Sequence, residues 1–229
     1  MATQDSNKKI STNSNTYTLV YAAVMVIIVA FLLSFVSSAL REKQQANVKL
    51  DTKKQILSSL NIANVDADAY FTANVKDMLW NGDTLVAYQG EFSTLYETEG
   101  KAGNFHVFVC NVDGKTKYVI PVYGAGLWGA VWGYVSLDEN RNTIYGTYFS
   151  HASETPGLGA EITTDWFQNQ FIGKKTTDSV DVKISVVKNG KVQNAEYEVD
   201  GISGGTITST GVDAMLKSCL NNYKNFLTK

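Results

Sequence analysis

Tyr17 to Leu40 is an unbroken uncharged run rich in Val, Ile, Ala, Leu and Phe. About 24 helical residues cross a hydrocarbon core with some tilt, so this stretch commits the start of the chain to a transmembrane helix. A cleaved signal peptide is the rival reading, because Ser37-Ser38-Ala39 ends the run with small residues. The run is longer than the apolar region of a usual signal peptide and charged sequence follows at once, which favours an uncleaved anchor. Before it, residues 1–16 are polar, with Lys8 and Lys9 as their basic residues. Arg41, Lys43 and Lys49 balance these on the other side, so the positive-inside rule does not orient the helix. Residues 41–69 mix charges with Val48, Leu50, Ile56, Leu57 and Leu60 and read as a helical stalk or linker. The remainder, 70–229, has the size of one domain with its own core.

Within that domain, Phe105–Cys110 and Tyr118–Tyr123 flank an Asp113-Gly114 turn and predict a hairpin. Val131–Leu137 and Thr143–Ser150 flank Glu139-Asn140-Arg141-Asn142 and predict a second. Val180, Val182, Ile184 and Val186 alternate up to Asn189-Gly190, a strong hairpin turn, with the return through Val192–Val199. Glu161–Ile172 reads as a short helix turning Ile162, Trp166 and Phe167 or Gln170 inward. Near the C-terminus, Val212, Met215, Leu216, Cys219, Leu220, Tyr223, Phe226 and Leu227 recur with helical spacing, and Ser209 or Thr210 is the expected N-cap. The fold class is therefore α+β, a largely antiparallel sheet with helices behind a single N-terminal transmembrane helix.

Composition removes several functions. With 20 Lys and Arg against 22 Asp and Glu, the chain has no basic excess for a nucleic-acid footprint. Cys110 and Cys219 are far apart, lack CxxC spacing and sit in apolar runs, so they read as small core residues, with one disulfide between them left open. His151 and Glu154 have a spacing that both can use on a metal, but the other histidine, His106, is remote and no third ligand is near, so no metal is expected. No Gly-x-Ser-x-Gly elbow supports a hydrolase.

Three glycine-bearing stretches remain. Gly124 to Gly129 ends in Leu127-Trp128, where glycines admit a flat ligand and Trp128 can stack on it; a bend with a core tryptophan explains it equally well. His151 to Gly159 contains Pro156-Gly157, a tight turn. Asp200-Gly201-Ile202-Ser203-Gly204-Gly205-Thr206 leads into the last helix, whose N-terminal amides suit a phosphate.

The last of these resembles the flavinylation motif, Asp-x-x-Ser/Thr-Gly-Ala-Thr, of the FMN-binding domains of the NqrC type, from the sodium-translocating NADH:quinone reductase, and of their Rnf-complex relatives. Asp200, Ser203, Gly204 and Thr206 match it, while Gly205 replaces the usual alanine. Glu154-Thr155-Pro156-Gly157-Leu158-Gly159 is similar to the family's other signature, and a Gly-Leu-Trp segment recurs there too. The resemblance implies FMN joined through its phosphate to Thr206 by a separate flavin transferase. It places Ser203, Gly204, Gly205, Thr208, Trp128, Glu154, Thr155, Gly157, Leu158 and Gly159 around the cofactor. There, amide and carbonyl groups at Thr155, Leu158 and Gly159 would meet the ring edge, and Glu154 would bond a ribityl hydroxyl or a neighbouring amide. Lys188 is an outlying candidate for neutralising the phosphodiester. The same resemblance implies an electron carrier without catalytic residues of its own, a domain on the periplasmic side of an inner membrane, and partners among the membrane, flavin and iron–sulfur subunits of the complex. An Rnf-type ferredoxin:NAD reductase component is the near alternative, and a membrane-anchored binding module without a redox cofactor is the distant one.

Overall fold

The computed structural model describes residues 14–229; Lys8 and Lys9 lie outside the described residues. Helix α1 runs from Asn15 to Ser59 without a break. Among the described residues it is the one helix long and apolar enough to cross a membrane. Over residues 17–40 its apolar side chains are exposed all round, Leu19, Phe31 and Leu33 to about two thirds or more of their surface, as suits a helix whose solvent is lipid. The chain divides into two units, Met1–Asn47 and Val48–Lys229.

The second unit contains the end of α1, then α2 (Ala67–Asn74), β1 (Val75–Trp80), β2 (Leu85–Ala87), α3 (Tyr96–Lys101), β3 (Phe105–Val112), β4 (Lys115–Ala125), β5 (Ala130–Leu137) and β6 (Ile144–His151). Short helical turns follow at Gly159–Thr163, α4 (Asp165–Gln168) and Asn169–Phe171, then β7 (Ser185–Val187), β8 (Glu198–Asp200), α5 (Thr206–Asn221) and α6 (Lys224–Leu227). Six strands form an antiparallel sheet in the order β2-β1-β3-β4-β5-β6. Both expected hairpins are present, β3–β4 through Asp113-Gly114 and β5–β6 through Glu139–Asn142. Their loop residues Asp113, Gly114 and Arg141 take positive φ, which such turns require.

The sheet is covered on both faces. Val107, Ile120, Val122 and Val135 pack with α5, α6 and the helical turns in one cluster. Phe108, Val119 and Tyr134 pack in the other with Ile56, Leu57 and Leu60, residues of the segment that reads as a stalk. Cys219 belongs to the first cluster and Cys110 to the second, and both are free thiols, so the disulfide left open by the sequence is not formed. Burial pushes each thiol up to about 11. Tyr223, between α5 and α6, ties the C-terminal helices to the sheet by donating from its buried hydroxyl to the His106 carbonyl at 2.9 Å. Tyr223→Phe removes one buried bond, and a loss of about 1 kcal/mol is expected in a denaturant titration.

Three local expectations are corrected. Asn189-Gly190 does turn the chain, with Gly190 at φ +71, but no hairpin follows. β7 and β8 pair in parallel, Ser185 with Glu198 and Val187 with Asp200. The return segment spends its backbone on a second turn, in which the Glu198 carboxylate accepts from the amides of Gln193 and Asn194, and so reaches β7 from its other end. The helix expected over Glu161–Ile172 is three short turns; Ile162, Phe167 and Phe171 are buried, whereas Trp166 is 56% exposed. Helix α5 starts at Thr206, before either expected cap. Its first turn carries three hydroxyls around an exposed Ile207, and two of these, Thr208 and Ser209, are buried.

Candidate functional site

Three segments converge at one end of the sheet: the β4–β5 turn, the loop after β6, and the start of α5. The first is closed by the Gly126 amide donating to the Gly129 carbonyl at 2.8 Å, which leaves Leu127 and Trp128 at its tip. The second is fastened beneath it. Ser153 donates to the Trp128 carbonyl at 3.0 Å, and the Glu154 amide donates to His151 Nδ1 at 3.1 Å. His151 therefore serves the backbone of this loop. Thr155-Pro156-Gly157-Leu158 is a tight turn with Gly157 at φ +74 and the Leu158 amide donating to the Thr155 carbonyl. Proline at the first corner and a positive-φ glycine at the second give that turn its geometry.

The third segment is a second turn, Ile202-Ser203-Gly204-Gly205, with Gly204 at φ +79 and the Gly205 amide donating to the Ile202 carbonyl. A side chain at Gly204 would also meet the tip of Leu158, but it is the positive φ that calls for glycine there. Ser209 locks the turn from within the helix: it accepts from the Ile202 amide and donates to the Gly205 carbonyl, each at 2.9 Å. Gly205 sits at the N-cap and no side chain caps the helix, so the first amides of α5 keep their positive end open.

Glu154 joins all three segments. It is 4% exposed, accepts from the Trp128 amide at 2.8 Å and from the Thr208 hydroxyl at 2.5 Å. Burial raises its pKa, but the Thr208 hydroxyl and the amides of Trp128, Gly129 and Leu127 outweigh that and hold it below the ordinary carboxylate value. The carboxylate is therefore directed at the protein. The expected bond to a neighbouring amide is formed, from Trp128.

Between the segments lies a cavity of about 260 Å³. Trp128, Glu154, Thr155, Leu158, Gly159, Gly204, Gly205, Thr206 and Thr208 line it, as the motifs lead one to expect, together with Leu127 and Ile207. Those two were not singled out in the sequence, although apolar residues inside glycine and hydroxyl motifs are themselves a signal. Trp128 is 67% exposed and Ile207 59%, with Leu127 and Leu158 close to half, so the mouth is apolar and open to solvent. Three candidates fall outside. Ser203 occupies the outer corner of its turn, and Gly157 points into open space. Lys188 lines a smaller neighbouring cavity that it shares with Thr206, Ser209 and Thr210. The Leu158 amide and Thr155 carbonyl are bonded to each other.

An exposed hydroxyl at an uncapped helix start, glycines that admit close approach, and an apolar rim fit a ligand with an anionic end and a flat apolar body. Comparison with known proteins agrees. The model of the FMN-binding domain family matches residues 126–221, which contain all three segments. The NqrC component of the Na(+)-translocating NADH-quinone reductase from Vibrio alginolyticus is 29% identical over 214 residues, covering 81% of this chain and 82% of the relative. The crystal structure of Shewanella oneidensis NqrC shares the fold, with a TM-score of 0.66 at 24% identity over 80% of this chain and 98% of that one. That of the corresponding Na(+)-translocating NADH-quinone reductase component from Parabacteroides distasonis is 44% identical, with a TM-score of 0.76 over 83% of this chain and 98% of that one. With that identity over nearly the whole of a solved relative, the chain belongs to the NqrC family of Na(+)-translocating NADH-quinone reductase subunits.

Proposed function

We propose that this chain is an electron-carrying subunit of a sodium-translocating NADH:quinone reductase, holding FMN by a phosphoester on the Thr206 hydroxyl. The observation that carries the reading is the convergence of the Glu154–Gly159 loop and the Gly204–Thr208 segment on one cavity, with Thr206 exposed beside open helix amides. FMN, when bound, supplies the electron-transfer chemistry, and the chain supplies attachment, orientation and electrostatics. The first-turn amides of α5 stabilise the phosphodiester charge, and Lys188 adds a cation from the adjacent cavity. Trp128, Leu127, Leu158 and Ile207 give the flat ring an apolar seat. Covalent attachment permits so shallow a seat, because the cofactor cannot diffuse away while its edge stays open to partner cofactors.

Residues 17–40 anchor the chain in the inner membrane, with 1–16 before the span and 41–69 leading to a domain at 70–229 on the periplasmic side. The remaining subunits deliver and receive the electrons. A flavin transferase acts on the folded chain, where Thr206 is accessible. The relay is tested in the assembled complex carrying Thr206→Ala. NADH-driven quinone reduction is expected to fall to background while the other subunits stay assembled. Undiminished quinone reduction in that complex would overturn the relay.

A further inference from the structure

A second cavity, of about 310 Å³, lies among the end of α1, α3 and the strands β4 and β5. Its size is at the lower end of small-molecule sites. It belongs to the face of the sheet packed by α1 and α3, whereas α5 packs on the other. Tyr96, Tyr123, Trp132 and Tyr134 line it along with Pro121, so part of its wall is flat and aromatic. Trp132 is held in place by a relay: its indole N–H donates to Gln55 Oε1 at 3.2 Å, and Gln55 Nε2 donates to Asp51 Oδ2 at 2.7 Å.

The charge of its lining gives the cavity a chemical preference. Its ionised lining residues are Asp51 and Glu97, with no Lys or Arg. Glu97 is paired with Lys101 at 2.6 Å, whereas Asp51 has no cationic partner among the described residues.

We propose that this cavity binds a flat aromatic molecule, neutral or cationic, with a hydrogen-bond-donating edge directed at Asp51. The ring stacks among Tyr123, Trp132 and Tyr134. An anionic nucleotide is rejected by the uncompensated carboxylate, which distinguishes this cavity from the one at Thr206. The site does not depend on the flavin reading.

The test uses the full chain in detergent micelles, labelled with 5-fluorotryptophan, so that Trp80, Trp128, Trp132 and Trp166 each report by fluorine resonance. Tryptamine and indole-3-acetate present the same ring with opposite charge. Tryptamine is expected to shift the Trp132 resonance saturably, with an affinity at least roughly tenfold above that of indole-3-acetate, while Trp128 and Trp166 stay in place. Asp51 is exposed and outside the core, so Asp51→Asn folds, with the buried Trp80 resonance as the check. That variant is expected to lose most of the charge preference. A Trp132 resonance unmoved by millimolar tryptamine overturns the proposal. So do equal responses to both probes, a preference unchanged by Asp51→Asn, a shift of all four resonances together through the micelle, or a Trp132 shift seen only on assembly with other subunits.

Discussion

Gly211→Val is expected to lower the midpoint of thermal unfolding by roughly 4–12 °C, the equivalent of about 2–3 kcal/mol of overpacking in a unit of this size. Gly211 lies on α5 where the helix crosses the end of β4. A Cβ there would overlap the Ala125 carbonyl oxygen and lie 3.3 Å from the Gly126 Cα. These are backbone atoms of the strand that carries the Gly126–Gly129 turn, so no flexible side chain can yield. Gly124 makes the matching concession on the strand, since a Cβ there would come within 2.8 Å of Met215 Cβ. Replacing a mid-helix glycine normally favours the helix, by up to about 1 kcal/mol for alanine and less for β-branched valine. That gain is smaller than the overlap. The helix must retreat, and its first turn moves with it, away from the β4–β5 turn. Flavin attachment at Thr206 is expected to fall together with the melting temperature. Wild-type stability in the valine variant would mean that α5 and β4 are not in such close contact.

Glu154→Ala is expected to cost about 2–4 kcal/mol, because the Trp128 amide and the Thr208 hydroxyl both lose a charged acceptor in a buried place. Glu154→Gln separates charge from shape. One oxygen still accepts from Trp128, the Thr208 hydroxyl can rotate to accept from the new amide, and the cost should drop to about 1 kcal/mol. The pH dependence carries the sign. The folded pKa of Glu154 is depressed below the ordinary 4.5, so the folded state favours the carboxylate over the acid. Its contribution is fully present above the unfolded value and is lost as pH falls through the folded one. The stability gap between wild type and Glu154→Gln should therefore be constant near neutrality and shrink below about pH 4.5. A gap that widens on acidification would mean that the buried carboxyl is held protonated.

Sequence patterns made the β3–β6 meander legible because each signal there was local. Alternating apolar residues and turn residues such as Asp113-Gly114 are neighbours in the chain and also in the sheet. The β7–β8 pair defeated the same reasoning. Asn189-Gly190 specifies a turn, but what pairs afterwards is decided by where the following residues find acceptors, and the Glu198 carboxylate lies eight residues on. The start of α5 was misplaced for a related reason. Apolar periodicity begins at Val212, whereas Thr208 and Ser209 are buried to serve Glu154 and the Ile202–Gly205 turn. Burial of hydroxyls for hydrogen bonding leaves no trace in a hydrophobic pattern. The site itself was mostly legible as motifs, yet the bond that joins them, Glu154 to Thr208 across 54 residues, is visible only in three dimensions.

The most direct measurement is the mass of the proteolytic peptide that contains Thr206, taken from the full chain co-expressed with the flavin transferase and fragmented to locate any added group. The expected peptide carries the mass of FMN less one water on Thr206, with Ser203, Thr208, Ser209 and Thr210 unmodified. An unmodified peptide, from cells in which the same transferase labels a known acceptor, would contradict covalent flavin at this site.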